Sequence, residues 1–289
     1  MPPEALHVEL LHSCRLRCRA CDHRLLGGAR LKPSDLLRVF SMPELKGLRL
    51  ISFSGGEPLL YPGLAAALKR AAAAFPAARL VLLSSLYDTS GTLRLLRSLP
   101  APLLARLHLG SSLDGGPELH DAMRGRPGAF AALKASLAAV KREFPAVSAG
   151  LTFTATRLNA PAFCEAWEQA RALGVPLLPQ FLVPNLNTAG LELDARARGR
   201  MAAGLRRVLR RRPEGAAELR QALDFLSGGP TGPCGAGLTF LMLSPEAEFY
   251  LCPFHKEIRA PLDRPAALRP AGPGYRSRHC AGCFLRCAR

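Results

Sequence analysis

Six times between residues 6 and 183 a short apolar run ends in a polar loop, and an amphipathic, helix-spaced stretch separates each run from the next. The runs are LHVELLH (6–12), LRLISFS (48–54), RLVLLSS (79–85), LARLHLGSS (104–112), SAGLTFTAT (148–156) and PLLPQFLV (176–183). Runs this short and this rich in Leu, Val, Ile and Phe read as buried strands, and the spacers read as helices that start at Pro or Ser. Strict strand–helix alternation predicts a parallel α/β sheet with right-handed crossovers. Six units fall short of the eight that close a full barrel. The expected fold is therefore an incomplete (βα)6, TIM-like barrel over residues 1–190, a helical linker over 191–231, and a small C-terminal unit over 232–289 built on the hairpin LTFLMLSPEAEFYLC.

With 48% apolar residues in 289, the chain can bury a sizeable core. No secretory start and no apolar run of about 20 residues is visible, so we expect a cytoplasmic protein with no membrane association. The formal charge of +17 invites a nucleic-acid partner. Arginine is, however, scattered along an Ala-, Gly- and Pro-rich chain, and no basic–aromatic interleaving forms a stacking platform. The densest basic run, RARGRMAAGLRRVLRRR (196–212), reads as a solvated helix face, with an anionic-partner surface as the alternative.

In parallel sheets of this kind ligands gather at the C-terminal ends of the strands. The distinctive residues fall there. Cys14, Cys18 and Cys21 follow the first strand, Gly55-Gly56-Glu57-Pro58 the second, Ser84 and Ser85 close the third, and Ser111 to Asp114 close the fourth. Nine cysteines, mostly clustered, argue for metal rather than disulfides in a reducing compartment. Three thiolates spaced C-x3-C-x2-C suit a 4Fe-4S cluster with one iron left open. The alternative is zinc, completed by His12 or His23.

The cysteine loop followed by Gly55-Gly56-Glu57-Pro58 resembles the radical S-adenosylmethionine superfamily. The resemblance implies that the open iron chelates S-adenosylmethionine and that an electron from the cluster cleaves it to a 5′-deoxyadenosyl radical. It also implies that the backbone at Gly55, Gly56 and Pro58, with the Glu57 carboxylate, receives the methionine ammonium. Ser112 and Asp114 would lie near the ribose and methionine carboxylate, and Ser84 would be a further contact. SSLDGGPELHDAMRGRPGAFAAL (111–133) resembles the subgroup with a C-terminal auxiliary cluster domain, of SPASM or twitch type. Within it, His120 and Asp121 read as loop-ordering residues, and Arg124 either meets an anionic group or pairs with a neighbouring carboxylate. The chain departs from the family pattern at Arg15, where Asn is frequent, and at Ala20, where an aromatic is usual.

The remaining cysteines, Cys234, Cys252, Cys280, Cys283 and Cys287, flank the hairpin and crowd the tail. By resemblance to single-cluster members they hold one auxiliary 4Fe-4S cluster, through Cys234, Cys252, Cys280 and Cys283, with Cys287 the alternative fourth ligand. A zinc knuckle is the simpler reading of the C-x2-C pair alone. Cys164, isolated in a helix, reads as a buried small apolar residue.

A fully ligated auxiliary cube favours electron transfer. The implied function is hydrogen abstraction from a small metabolite or a peptide, then net oxidation, with flavodoxin or ferredoxin as external reductant. The competing class is a non-catalytic iron–sulfur or zinc protein in electron transfer or RNA binding. No catalytic acid or base stands out.

Overall fold

The computed structural model describes residues 3–229, 234–265 and 283–284. Six parallel strands lie side by side in chain order: β1 (Ala5–Glu9), β2 (Leu50–Ser54), β3 (Arg79–Leu83), β4 (Leu107–Ser112), β5 (Ser148–Ala155) and β6 (Leu177–Phe181). All six expected strands are present. The connecting helices are α1 (Pro33–Phe40), α2 (Leu64–Ala74), α3 (Thr89–Arg97), α4 (Ala101–Leu104), α5 (Pro117–Arg124), α6 (Ala129–Glu143) and α7 (Phe163–Ala172). Two more follow β6, α8 (Ala195–Leu209) and α9 (Ala216–Leu226). The short α4 and the eight-residue α5 were not anticipated from the sequence.

Period-two alternation decides which face each strand buries. Leu6 and Val8, Ile51 and Phe53, Leu80 and Leu82, Leu107 and Leu109, and Leu151 and Phe153 are buried in one core with apolar residues of the helices. The other face carries an in-register row of His7, Ser52, Val81, His108 and Ser148. This polar inner face on an open, mostly parallel sheet is consistent with a partial barrel.

Helix ends follow local chemistry. Asp88 and Asp194 cap α3 and α8 by accepting from the amides of Gly91 and Ala197 at 2.8 and 2.7 Å. Pro117 opens α5, and Gly125, at φ +61°, closes it. The basic run falls on α8, which buries Ala197, Met201, Leu205 and Val208 while its arginines are exposed. Arg211 and Arg171 lie over the Trp167 ring at 5.6 and 5.8 Å.

The expected hairpin is present as β7 (Phe240–Leu243) and β8 (Glu248–Cys252), extended by an unanticipated third strand, β9 (His255–Pro261). Its attachment could not be read from the sequence. β7 pairs in parallel with β1, Ala5 opposite Phe240 and Val8 opposite Leu243, so the described strands form one nine-stranded sheet. The core is continuous across the expected segments: Met201, Leu219, Leu241, Leu243, Phe249 and Phe284 join the cluster that contains Leu6 and Phe53.

Candidate functional site

The loops after β1 and β2 are pressed together. The Gly56 amide donates to the Leu11 carbonyl at 2.6 Å, and the Glu57 amide to the Ser13 carbonyl at 2.9 Å. A β-carbon on Gly55 would lie 2.4 Å from the Leu11 oxygen, and one on Gly56 2.1 Å from the Ser13 oxygen. Gly55 also sits at φ +119°. Both glycines are thus required by the backbone that leads into Cys14.

Glu57 is buried and its carboxylate accepts four donors. Oε1 receives the Ser84 hydroxyl at 2.7 Å and the Leu59 amide at 3.2 Å; Oε2 receives the Ser85 hydroxyl at 2.5 Å and the Ser85 amide at 3.0 Å. Those contacts fill the roughly four lone-pair sites of a carboxylate. Glu57 therefore bolts the turn after β2 to the end of β3, with Pro58 opening a single helical turn behind it. The next residue along β3's loop, Leu86, is fully buried at φ 54°, and its carbonyl is held by the Ser136 hydroxyl at 2.7 Å.

The cysteine loop is gripped from two further sides. From α5, the Met123 and Arg124 carbonyls accept the amides of Arg19 and Arg17 at 2.9 and 3.1 Å, and Arg124 Nη1 reaches Cys18 Sγ at 3.8 Å. From the loop after β6, Asn187 Nδ2 donates to the carbonyls of Cys18, Arg19 and Cys21 at 3.2, 2.9 and 3.1 Å. Asn185 adds the Ala20 carbonyl at 3.2 Å. Asn185 and Asn187 were missed by the sequence reading. Their signal was present, because the pair sits in a loop at a strand's C-terminal end.

None of the seven described cysteines forms a disulfide. Cys14, Cys18 and Cys21 share a half-buried space. Burial raises the Cys14 thiol pKa and takes that of Cys21 to about 11, and the charges of the neighbouring cysteines add to both. Backbone amides point at these sulfurs, as the Leu16 amide does to Cys14 at 3.5 Å. Three thiols ringed by amide donors and a guanidinium fit an iron–sulfur cluster held by three thiolates. His12 and His23 face one another through Nδ1 at 3.2 Å, and His12 Nε2 meets Glu246 of the β7–β8 turn at 2.8 Å. Among the described residues no three His, Cys, Asp or Glu side chains converge on one point as chelators of a single ion.

Ser112 is half-buried at the end of β4. Asp114 is buried and turned to its own neighbours: Arg124 Nε lies 2.7 Å from Oδ2, off the N–H direction, making an ion pair rather than a directed hydrogen bond. Burial raises the Asp114 pKa and the guanidinium opposes it. For Arg124, burial is outweighed by the charges of Asp114 and Cys18, which hold it protonated. His120 Nδ1 accepts the Asp114 amide at 3.3 Å, so the ring is neutral, and burial drives its pKa to about 3. Asp121 caps the start of α6, accepting from Gly128 and Phe130.

Cys252 is buried at the end of β8, and its thiol is pushed up to about 11 by burial, with the charges of Cys234 and Cys283 adding. Amides of Phe254 and His255 donate to its sulfur. Phe284 packs on Phe181 and Phe225, with ring centroids 5.0 and 5.1 Å away. Cys280 and Cys287 lie outside the described residues. Cys164 donates to the Gly204 carbonyl at 3.4 Å, inside the α7–α8 packing. No described helix is long and apolar enough to cross a membrane.

A family model described as the Radical SAM superfamily matches residues 8–155. Over 73 residues the chain is 36% identical to the PqqA peptide cyclase of Granulibacter bethesdensis, a match spanning 24% of this chain and 20% of that protein. Among solved structures it resembles Streptococcus suis SuiB bound to the precursor peptide SuiA, with a TM-score of 0.62 at 13% identity over 86% of this chain and 59% of that one. It likewise resembles native anSMEcpe with bound AdoMet, with a TM-score of 0.63 at 14% identity over 88% of this chain and 76% of that one. At such identities these structures share the fold.

Proposed function

Because the chain belongs to the radical SAM superfamily, we propose that it abstracts a hydrogen atom from a peptide substrate and completes a net oxidation. The observation that carries this reading is the junction of the Cys14–Cys18–Cys21 loop with the Gly55–Pro58 turn, where three thiols share one space beside a carbonyl-rich backbone. The bound cluster would supply one electron to S-adenosylmethionine and so generate a 5′-deoxyadenosyl radical.

The chain's own residues hold and orient. Cys14, Cys18 and Cys21 bind the cluster. Since the oxygens of Glu57 are filled by Ser84, Ser85 and Leu59, the backbone carbonyls at Gly55 and Gly56 would be the acceptors for the cofactor's ammonium. Ser84 and Pro58 keep that turn in place, Ser112 would contact the cofactor, and Asp114 would act through Arg124. Cys234, Cys252, Cys280 and Cys283, with Cys287 the alternative fourth ligand, would hold an auxiliary cluster able to accept the electron left on the substrate. An external flavodoxin or ferredoxin would supply the electron to the first cluster.

The peptide reading rests on the similarity to a peptide cyclase and to a structure holding a precursor peptide. A small metabolite is the second candidate, favoured by no contact described above. Anaerobically reconstituted protein should hold about eight irons and release 5′-deoxyadenosine from S-adenosylmethionine under reductant. Tightly bound zinc, no 5′-deoxyadenosine, and indifference to replacing Cys14, Cys18 and Cys21 together would overturn the proposal.

A further inference from the structure

Four arginines lie on or against the cysteine loop, and three of them, Arg15, Arg17 and Arg19, are exposed. Water and salt screen such charges strongly. Arg124 differs: its side chain is 18% exposed, and its guanidinium is split between two partners. Nε faces Asp114 Oδ2 at 2.7 Å and Nη1 faces Cys18 Sγ at 3.8 Å. The backbone fixes this placement, because Arg124 is the last residue of α5 and its carbonyl takes the Arg17 amide. Behind it, a β-carbon on Gly125 would lie 2.2 Å from the Arg17 oxygen.

We infer that Asp114 and Arg124 form an oriented charge pair that sets the reduction potential of the cluster held by Cys14, Cys18 and Cys21. The inference rests on the cluster reading given above. Reduction adds one negative charge to the cluster and its thiolates. A cation within hydrogen-bonding reach of Cys18, in a half-buried site, stabilises that charge and raises the potential. Asp114 lies on the far side of the guanidinium and subtracts part of the effect. The two residues therefore act with opposite signs, although both belong to one contact.

A merely structural tie between loop and helix lacks this sign difference. The test is the one-electron midpoint potential of the cluster whose EPR signal changes on adding S-adenosylmethionine, titrated in the whole reconstituted protein. Arg124→Gln should make reduction harder by about tenfold in the equilibrium constant, or 59 mV for one electron. Asp114→Asn should shift the potential the opposite way, and Arg124→Lys should stay near the wild-type value. Shifts of the same sign in both charge-removing variants, or none, overturn the inference. If Arg124→Gln holds no iron, Asp114→Asn decides alone, an upward shift supporting the inference and any other result refuting it. A wild-type protein with no signal responsive to S-adenosylmethionine would instead refute the cluster reading itself.

Discussion

Gly56 sits against Ser13 so tightly that a β-carbon on it would come within 2.1 Å of the Ser13 carbonyl oxygen. The two loops that build the site are thus packed backbone to backbone. Gly56→Ala should push the cysteine loop off the turn at a cost of about 1–3 kcal/mol. Thermal unfolding of the metal-free protein should show a midpoint lowered by about 2–4 °C for each kcal/mol. An unchanged midpoint would mean that the loops separate freely.

Glu57→Gln tests the four-donor carboxylate. An amide nitrogen placed at Oε1 lets the Ser84 hydroxyl turn and accept, but it orphans the Leu59 amide, a loss of about 1–3 kcal/mol. Ser84→Ala should cost about 1 kcal/mol. Denaturant unfolding of both single variants and the double should show non-additive losses, since the residues share one network.

Asn187→Ala removes the donor shared by three carbonyls of the cysteine loop. We expect about 1–2 kcal/mol of destabilisation and faster loss of iron to a chelator from the reconstituted protein. Iron release at the wild-type rate would show that the remaining contacts, from α5, Asn185 and the Gly55–Pro58 turn, hold the loop without Asn187.

Replacing Cys234 and Cys252 by Ala should remove about four irons while release of 5′-deoxyadenosine survives. β8 runs antiparallel to β7, and Tyr250 lies opposite Met242, so Cys252 falls level with the start of β1, whereas Cys14 follows that strand's end. At about 3.3 Å per residue the two ends of β1 are roughly 13 Å apart. Loss of both cluster signals together would show that the two sites do not assemble independently.

His7 gives the fold an acid-sensitive element. Burial lowers its pKa to about 4, and Nδ1 is bonded to Ser52 Oγ at 2.5 Å. The unfolded chain takes up this proton near pH 6.5, the native one only near pH 4. The contribution of neutral His7 is therefore intact above pH 6.5 and is lost as pH falls toward 4, amounting to about 3 kcal/mol. In His7→Gln the fall in stability between pH 6.5 and 4 should be shallower by that amount.

The six strands, their order and the grouping of cysteines at strand ends were legible because each depends on residues close in the chain. The tying contacts were not. Glu57 meets Ser84 only because β2 and β3 pair in a particular register, and Asn187 reaches Cys18 across the whole parallel sheet. The Gly55–Gly56 turn is legible as a motif, but its close approach to the Leu11–Ser13 backbone is not. β9 was hidden by its charges, Lys256, Glu257 and Arg259, which suit the exposed outer edge of a sheet.

The parallel pairing of β7 with β1 makes the hairpin a ruler. Between the two groups of cysteines, the offset of Cys252 from the end of β1 is counted in hydrogen-bonded residues along one sheet, so it does not depend on how two separately folded bodies happen to dock. A two-residue insertion in β8 would keep its faces in phase and carry Cys252 about 7 Å further along. Any electron passing between those groups would travel a length written into strand register.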